Sequence, residues 1–99
     1  MGIVPDKGGL FNLRAAEWVR SNPEAWRAMK MEARERAANA RHFSIAELVE
    51  AVRYSPRHIE RVDKFRFNNS YRAPLARMLV REVPECGPFI ELRKSVCDK

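Results

Sequence analysis

The stretch Val62–Leu92, VDKFRFNNSYRAPLARMLVREVPECGPFIEL, decides how the chain is read. It opens on an alternation of apolar and polar residues, Phe65-Arg66-Phe67, the pattern of a short strand. Asn68, Asn69 and Ser70 follow, residues whose short polar side chains cap helices and form turns. Tyr71, Leu75, Met78, Leu79 and Val83 then recur at helical spacing as one apolar stripe, with Arg72, Arg77 and Arg81 off it. Pro84 and the Gly87-Pro88 pair stop that helix, and Phe89-Ile90-Glu91-Leu92-Arg93 has the composition of a strand. Strand, capped basic helix, turn and strand make up the second half of a winged helix-turn-helix. The expected fold is therefore mainly α with a small β-hairpin (α+β): winged helix-turn-helix-like, with two extra N-terminal helices.

Two features resist that reading. About sixteen residues separate the preceding helix from Tyr71, where a common helix-turn-helix uses about three or four. Pro74 would cost about 3 kcal/mol deep inside a helix, so an irregular first turn is expected at Ser70–Ala73.

Upstream, Ser44-Ile45-Ala46-Glu47 fits a capping box, and Ile45, Leu48, Val49 and Val52 continue it as an apolar stripe ending near Tyr54. His42-Phe43 could form a very short strand. Asn22 is a good N-cap and Pro23 suits a first helical position, so a helix is expected from Pro23 to about Ala38. In it Trp26, Met29, Ala33 and Ala37 are the apolar contribution, and Glu32 and Glu35 interleaved with Arg34 and Arg36 read as a solvated face. A shorter helix is expected over Leu13–Arg20, with Phe11, Ala15, Trp18 and Val19 on one face. The expected organisation is a flexible N-terminus over 1–10, one winged-helix-like domain over 11–94 and a frayed tail over 95–99. Residues 55–64 fit either another helical turn or an ordered loop, and His58 reads as a surface or partly packed side chain.

Charge narrows the function classes. Nineteen Lys and Arg against thirteen Asp and Glu give +6. From Arg53 to Glu82 eight basic residues face three acidic ones, hence +5. A basic patch attracts phosphate backbones by counterion release, and arginine suits forked contacts to phosphate or guanine. A solvated basic surface, or one that meets an acidic protein, is the plainer alternative. No apolar run approaches the roughly 18 residues of a membrane span. No secretory signal is visible, and a cytoplasmic protein is expected. Cys86 and Cys97 form no CxxC pair and read as reduced thiols. There is no glycine-rich phosphate loop, nucleophile elbow or metal-ligand spacing. The chain reads as a binding protein rather than an enzyme, with no cofactor.

HFSIAELVEAVRY (42–54) followed by KFRFNNSYRAPLARMLVREVPECGPFIELRK (64–94) resembles small proteins encoded by bacteriophages and prophages. Their shared pattern is an aromatic-Ser helix start, an asparagine pair before a Tyr-Arg-Ala helix, then a Pro-Glu turn and an aromatic strand ending in basic residues. Phe65, Phe67, Asn68, Asn69, Tyr71, Arg72, Ala73, Pro84, Glu85 and Phe89 match; Pro74 departs from it. The resemblance implies a winged-helix-like fold and a phage or prophage origin, and supplies no activity.

The leading expectation is thus a small phage-type DNA-binding protein, a transcriptional regulator that places Ser70–Arg81 in a major groove of double-stranded DNA. Asn68, Asn69, Ser70 and Arg72 would reach base edges, Arg77 and Arg81 phosphates, and Arg66, Arg93 and Lys94 flanking positions on the strands. For the asparagines, turn formation is the competing role. The alternative is a protein-interaction inhibitor of a bacterial defence system, anti-CRISPR-like, that binds an acidic or nucleic-acid-binding host or phage protein. In the first case the extra N-terminal helices, Leu13–Arg20 and Pro23–Ala38, would serve a homodimer; a blander option is a small structural or assembly protein that oligomerises through them.

Overall fold

The computed structural model describes residues 7–59, 62 and 64–91. They form five helices: α1 (Lys7–Ser21), α2 (Pro23–Ala38), α3 (Ile45–Tyr54), α4 (Pro56–Ile59) and α5 (Arg72–Glu82). A 3-10 turn, Asn69–Tyr71, leads into α5, and a second, Pro84–Cys86, leaves it. α2 packs on α3 and on the Pro84–Cys86 turn, and α5 packs on α1 and α3. Phe43, Met29, Leu48, Val52, Leu75, Leu79 and Val83 fill the centre between them. Each such side chain contributes about 1.5–3 kcal/mol by leaving water.

Local signals place most boundaries. α2 begins at Pro23 as expected, because a proline at the first position forfeits only a donor that has no intrahelical acceptor. Asn22 plays a different part from the expected cap. Its side chain makes no bond to α2; Nδ2 donates to the Trp18 carbonyl at 2.9 Å and so closes the end of α1. α2 ends in a Schellman arrangement. Arg41 N–H donates to the Arg36 carbonyl at 2.8 Å and Ala40 N–H to that of Ala37 at 3.0 Å. Ala40 takes φ 53, the left-handed conformation that glycine normally supplies there. Ser44 caps α3 by accepting the Glu47 N–H at 3.1 Å. α1 starts at Lys7, earlier than the expected Leu13, so residues 7–10 are helical despite Gly8-Gly9. Glycine's helix penalty of about 1 kcal/mol is small enough for neighbouring turns to override.

Pro74 is accommodated much as its chemistry requires. The 3-10 turn precedes the helix, and Pro74 is the third residue of α5, within the first turn, where backbone donors lack intrahelical acceptors. Its ring is buried.

The expected hairpin is not seen among the described residues, which contain no sheet; the chain is mainly helical. Phe65-Arg66-Phe67 belongs to no helix or strand but keeps its alternation, with Arg66 exposed between two partly buried rings. It packs on a helix instead of a strand. Trp18 of α1 meets Phe65 and Phe67 edge-on, each at 5.7 Å between centroids. The segment's carbonyls are met by side chains: Trp18 Nε1 donates to Arg66 O at 2.6 Å and Arg53 Nη2 to Phe65 O at 3.3 Å. A buried backbone group needs one partner, and these bonds supply it without a ladder. Ile90 pairs with Phe43 in a single parallel bridge, where Phe43 N–H donates to Phe89 O at 3.0 Å and Glu91 N–H to Phe43 O at 2.7 Å. Of the expected strand Phe89–Arg93, Leu92 and Arg93 lie outside the described residues.

Candidate nucleic-acid interface

α5 carries the basic residues singled out by sequence, and the structure divides them. Successive residues of a helix are turned by about 100°. From Leu75, Arg72 therefore falls within the arc that holds Leu79 and Val83, and it is half-buried. Ala73, Arg77 and Arg81 succeed one another every fourth residue on the outer face, and all three are exposed. The expectation that Arg72 joins the other two on one outward surface is corrected: an α-helix turns positions 72 and 77 about 140° apart. Glu82, the single carboxylate of α5, is turned the other way. Its Oε1 accepts from Trp26 Nε1 at 3.1 Å and from Lys30 Nζ at 3.0 Å. Burial works to raise the Glu82 pKa, but these two donors outweigh it and hold the carboxyl below its ordinary range.

Ahead of the helix, Asn68 builds the turn. Its Oδ1 accepts Ser70 N–H at 2.8 Å and its carbonyl accepts Tyr71 N–H at 2.9 Å. The side chains of Asn68, Ser70 and Arg66 are exposed. The side chain of Asn69 lies outside the described part, as do Arg93 and Lys94. Arg66, Asn68 and Tyr71 flank an open cleft against α1, about 550 Å³ in volume, whose floor includes Trp18 and Phe67. Arg66 and Asn68 thus gather at one cleft, while Arg77 and Arg81 lie further along the outer face.

A second charged assembly, between α2, α3 and α4, escaped the sequence reading. Glu32 and His58 are buried, with His58 Nε2 2.6 Å from Glu32 Oε2. Arg36 bridges two carboxylates: Nη1 donates to Glu32 Oε1 at 2.6 Å and Nε to Glu47 Oε2 at 2.8 Å. Arg57 pairs with Glu35 and lies 3.6 Å from Glu32 Oε2. Burial pushes the Glu32 carboxyl up, and hydrogen bonds and charge from Arg36 and His58 reverse that, leaving it below the ordinary value. The Glu47 of the expected capping box accepts from Arg36 and forms an ion pair with Arg41 at 3.4 Å, while Ser44 still caps its backbone. A signal for this cluster was present. Ala25, Ala28, Met29, Glu32 and Ala33 follow the three-and-four spacing of the buried stripe, which puts Glu32 on the core face of α2. His58, expected at or near the surface, is 4% exposed because α4, packed on α3, sets its ring against Glu32 of α2.

Cys86 is a buried free thiol, its pKa raised by burial and by the neighbouring Glu85 charge, while Cys97 lies outside the described residues. Among the described residues no group of three His, Cys, Asp or Glu is placed to hold a metal, and no helix is long and apolar enough to cross a membrane. Compared with known proteins, the chain matches no family model, no curated protein and no solved structure.

Proposed function

We propose that the chain is a small double-stranded-DNA-binding protein, a regulator of the phage type, that lays the outer face of α5 against the duplex. The observation that carries this reading is the sorting of charge on α5. Arg77 and Arg81 project outward in one row with the small Ala73, while Glu82, also exposed, lies on another side of the helix, paired with Trp26 and Lys30. A duplex approaching that row meets cations and no carboxylate of the helix. α3 packs behind α5 and supports it, the division of labour of a helix-turn-helix without a wing. In this reading the protein binds and does not catalyse.

The test is a fluorescence titration on random-sequence duplex at two salt concentrations. Binding is expected to weaken steeply with salt. Arg77→Ala with Arg81→Ala should reduce the slope of log K against log salt by about 2, close to one for each phosphate that is no longer neutralised. Absence of binding at low salt defeats the reading.

A protein-interaction reading has its own support. Tyr54 is 71% exposed and Ile59 56%, and both line an open groove of about 420 Å³ with Val62, Lys64 and Phe65. An inhibitor would seat a partner's apolar segment there. Under that reading, capture of a host protein from nuclease-treated lysate is abolished by Tyr54→Ser with Ile59→Ser and survives replacement of Arg77 and Arg81 by alanine.

A further inference from the structure

We propose that the cleft between α1 and the Arg66–Tyr71 segment receives one unpaired nucleotide, its base against Tyr71 and its phosphate against Arg66 and Asn68. This rests on the nucleic-acid reading and extends it from duplex to exposed strand ends.

Two adjoining hollows make the cleft, and both are lined by Trp18 and Tyr71. One, about 550 Å³, adds Arg66, Phe67 and Asn68. The other, about 400 Å³, adds Arg14 and Glu17 from α1. Each lies within the size of ordinary small-ligand pockets, roughly 300–1,000 Å³. The floor is aromatic. Phe67 stands edge-on to Trp18 at 5.7 Å and to Tyr71 at 6.0 Å. Tyr71 is only half-buried, so part of its ring surface remains for a base. Stacking of this kind tolerates any base, because every base has a π-face.

Two of the rim's acceptors each already hold a donor, which tilts what the rim offers toward donors. The Arg66 carbonyl takes the Trp18 indole N–H, and Asn68 Oδ1 takes the Ser70 N–H. That second bond also settles which way the Asn68 amide faces. What Arg66 and Asn68 offer a ligand is therefore donors: a guanidinium and an amide NH2. Donors beside an aromatic floor fit a group rich in acceptors and attached to a flat ring, which describes a nucleotide. In the α1 hollow Glu17 offsets Arg14, whereas the other hollow has Arg66 and no carboxylate, which favours the phosphate on the Arg66 side.

The experiment compares a blunt duplex with the same duplex carrying a short single-stranded overhang whose first unpaired base is 2-aminopurine. The overhang should bind at least about fivefold more tightly, the lower end of what one stacked base supplies, and the 2-aminopurine fluorescence should fall on binding. Asn68→Asp keeps the acceptor for Ser70 N–H, so the turn is retained, but replaces the NH2 donor with negative charge. It should return the overhang-to-blunt affinity ratio to about one, and Arg66→Gln should lower it. Equal affinity for the two duplexes overturns the inference while leaving the duplex reading standing. So does a preference that Asn68→Asp does not reduce, or a polyglutamate peptide that competes as well as the overhang. Failure of both duplexes to bind at low salt overturns the reading and the inference together.

Discussion

The α2–α4 side and the α5 side of this molecule use similar charges in opposite ways. Between α2, α3 and α4, Glu32, Arg36, His58 and Glu47 satisfy one another at 2.6–2.8 Å, and Glu32 and His58 are almost wholly removed from water. On α5, Arg77 and Arg81 stay exposed, and the helix's own carboxylate is engaged on another side. The first group costs desolvation and holds together only as a set. The second lies at the surface, where desolvation costs little. An arginine's role is therefore set by what surrounds it, and the two sides should respond differently to the same kind of change.

The largest contrast should come from Glu32→Ala. It leaves the buried His58 without its carboxylate and Arg36 with Glu47 alone, and a loss of about 3 kcal/mol in urea-unfolding stability is expected. Arg77→Ala and Arg81→Ala should each stay within about 0.5 kcal/mol of the parent. Comparable losses on the two sides would erase the distinction.

Acid should weaken the same clamp. The Glu32 and Glu82 carboxyls lie below their ordinary 4.5 in the folded chain, so the unfolded chain binds protons more readily. Their contribution is complete above the unfolded value and is lost as pH falls through the folded ones. Urea midpoints at pH 7 and at about pH 3.5 should show this loss, and Glu32→Gln should make it shallower. An unchanged loss in that variant would place the acid sensitivity elsewhere.

Trp18→Phe removes the donor to Arg66 O and part of the ring under Phe65 and Phe67. A cost of about 1–2 kcal/mol is expected, read from the urea midpoint. The smallest effect should be a gain. Ala40→Gly relieves the positive φ at the end of α2 and should stabilise by about 0.5–1 kcal/mol, seen as a rise in melting temperature.

The helical parts of the fold were the more legible. Ser44 and Glu47 announced α3, and Asn22-Pro23 announced α2, although Asn22 turned out to close α1. The stripe of α5 was correct at Leu75, Leu79 and Val83, and partial at Tyr71 and Met78. The strand expected at Phe65–Phe67 was misread for a specific reason. Alternation at Phe65-Arg66-Phe67 reports only that two rings face inward, and Trp18 serves as the inner surface as well as a strand would. Within the candidate site, the turn at Asn68 could be foreseen from its residue type. The outward row of Ala73, Arg77 and Arg81, and the exclusion of Arg72 from it, needed the helix start fixed to the residue, which Pro74 had left open.

Caps, proline positions and apolar periodicity act within about one helical turn, so the amino-acid order alone settles where α2 and α3 begin and end and where α5 stops. Which partner the buried Glu32 meets, which residue Ile90 bridges and which face of α1 floors the cleft are settled by contacts between segments tens of residues apart. Those depend on how the helices cross and on the desolvation each crossing imposes. Spacing puts Glu32 on the core face of α2, but only the fold supplies its buried partner, His58, 26 positions later.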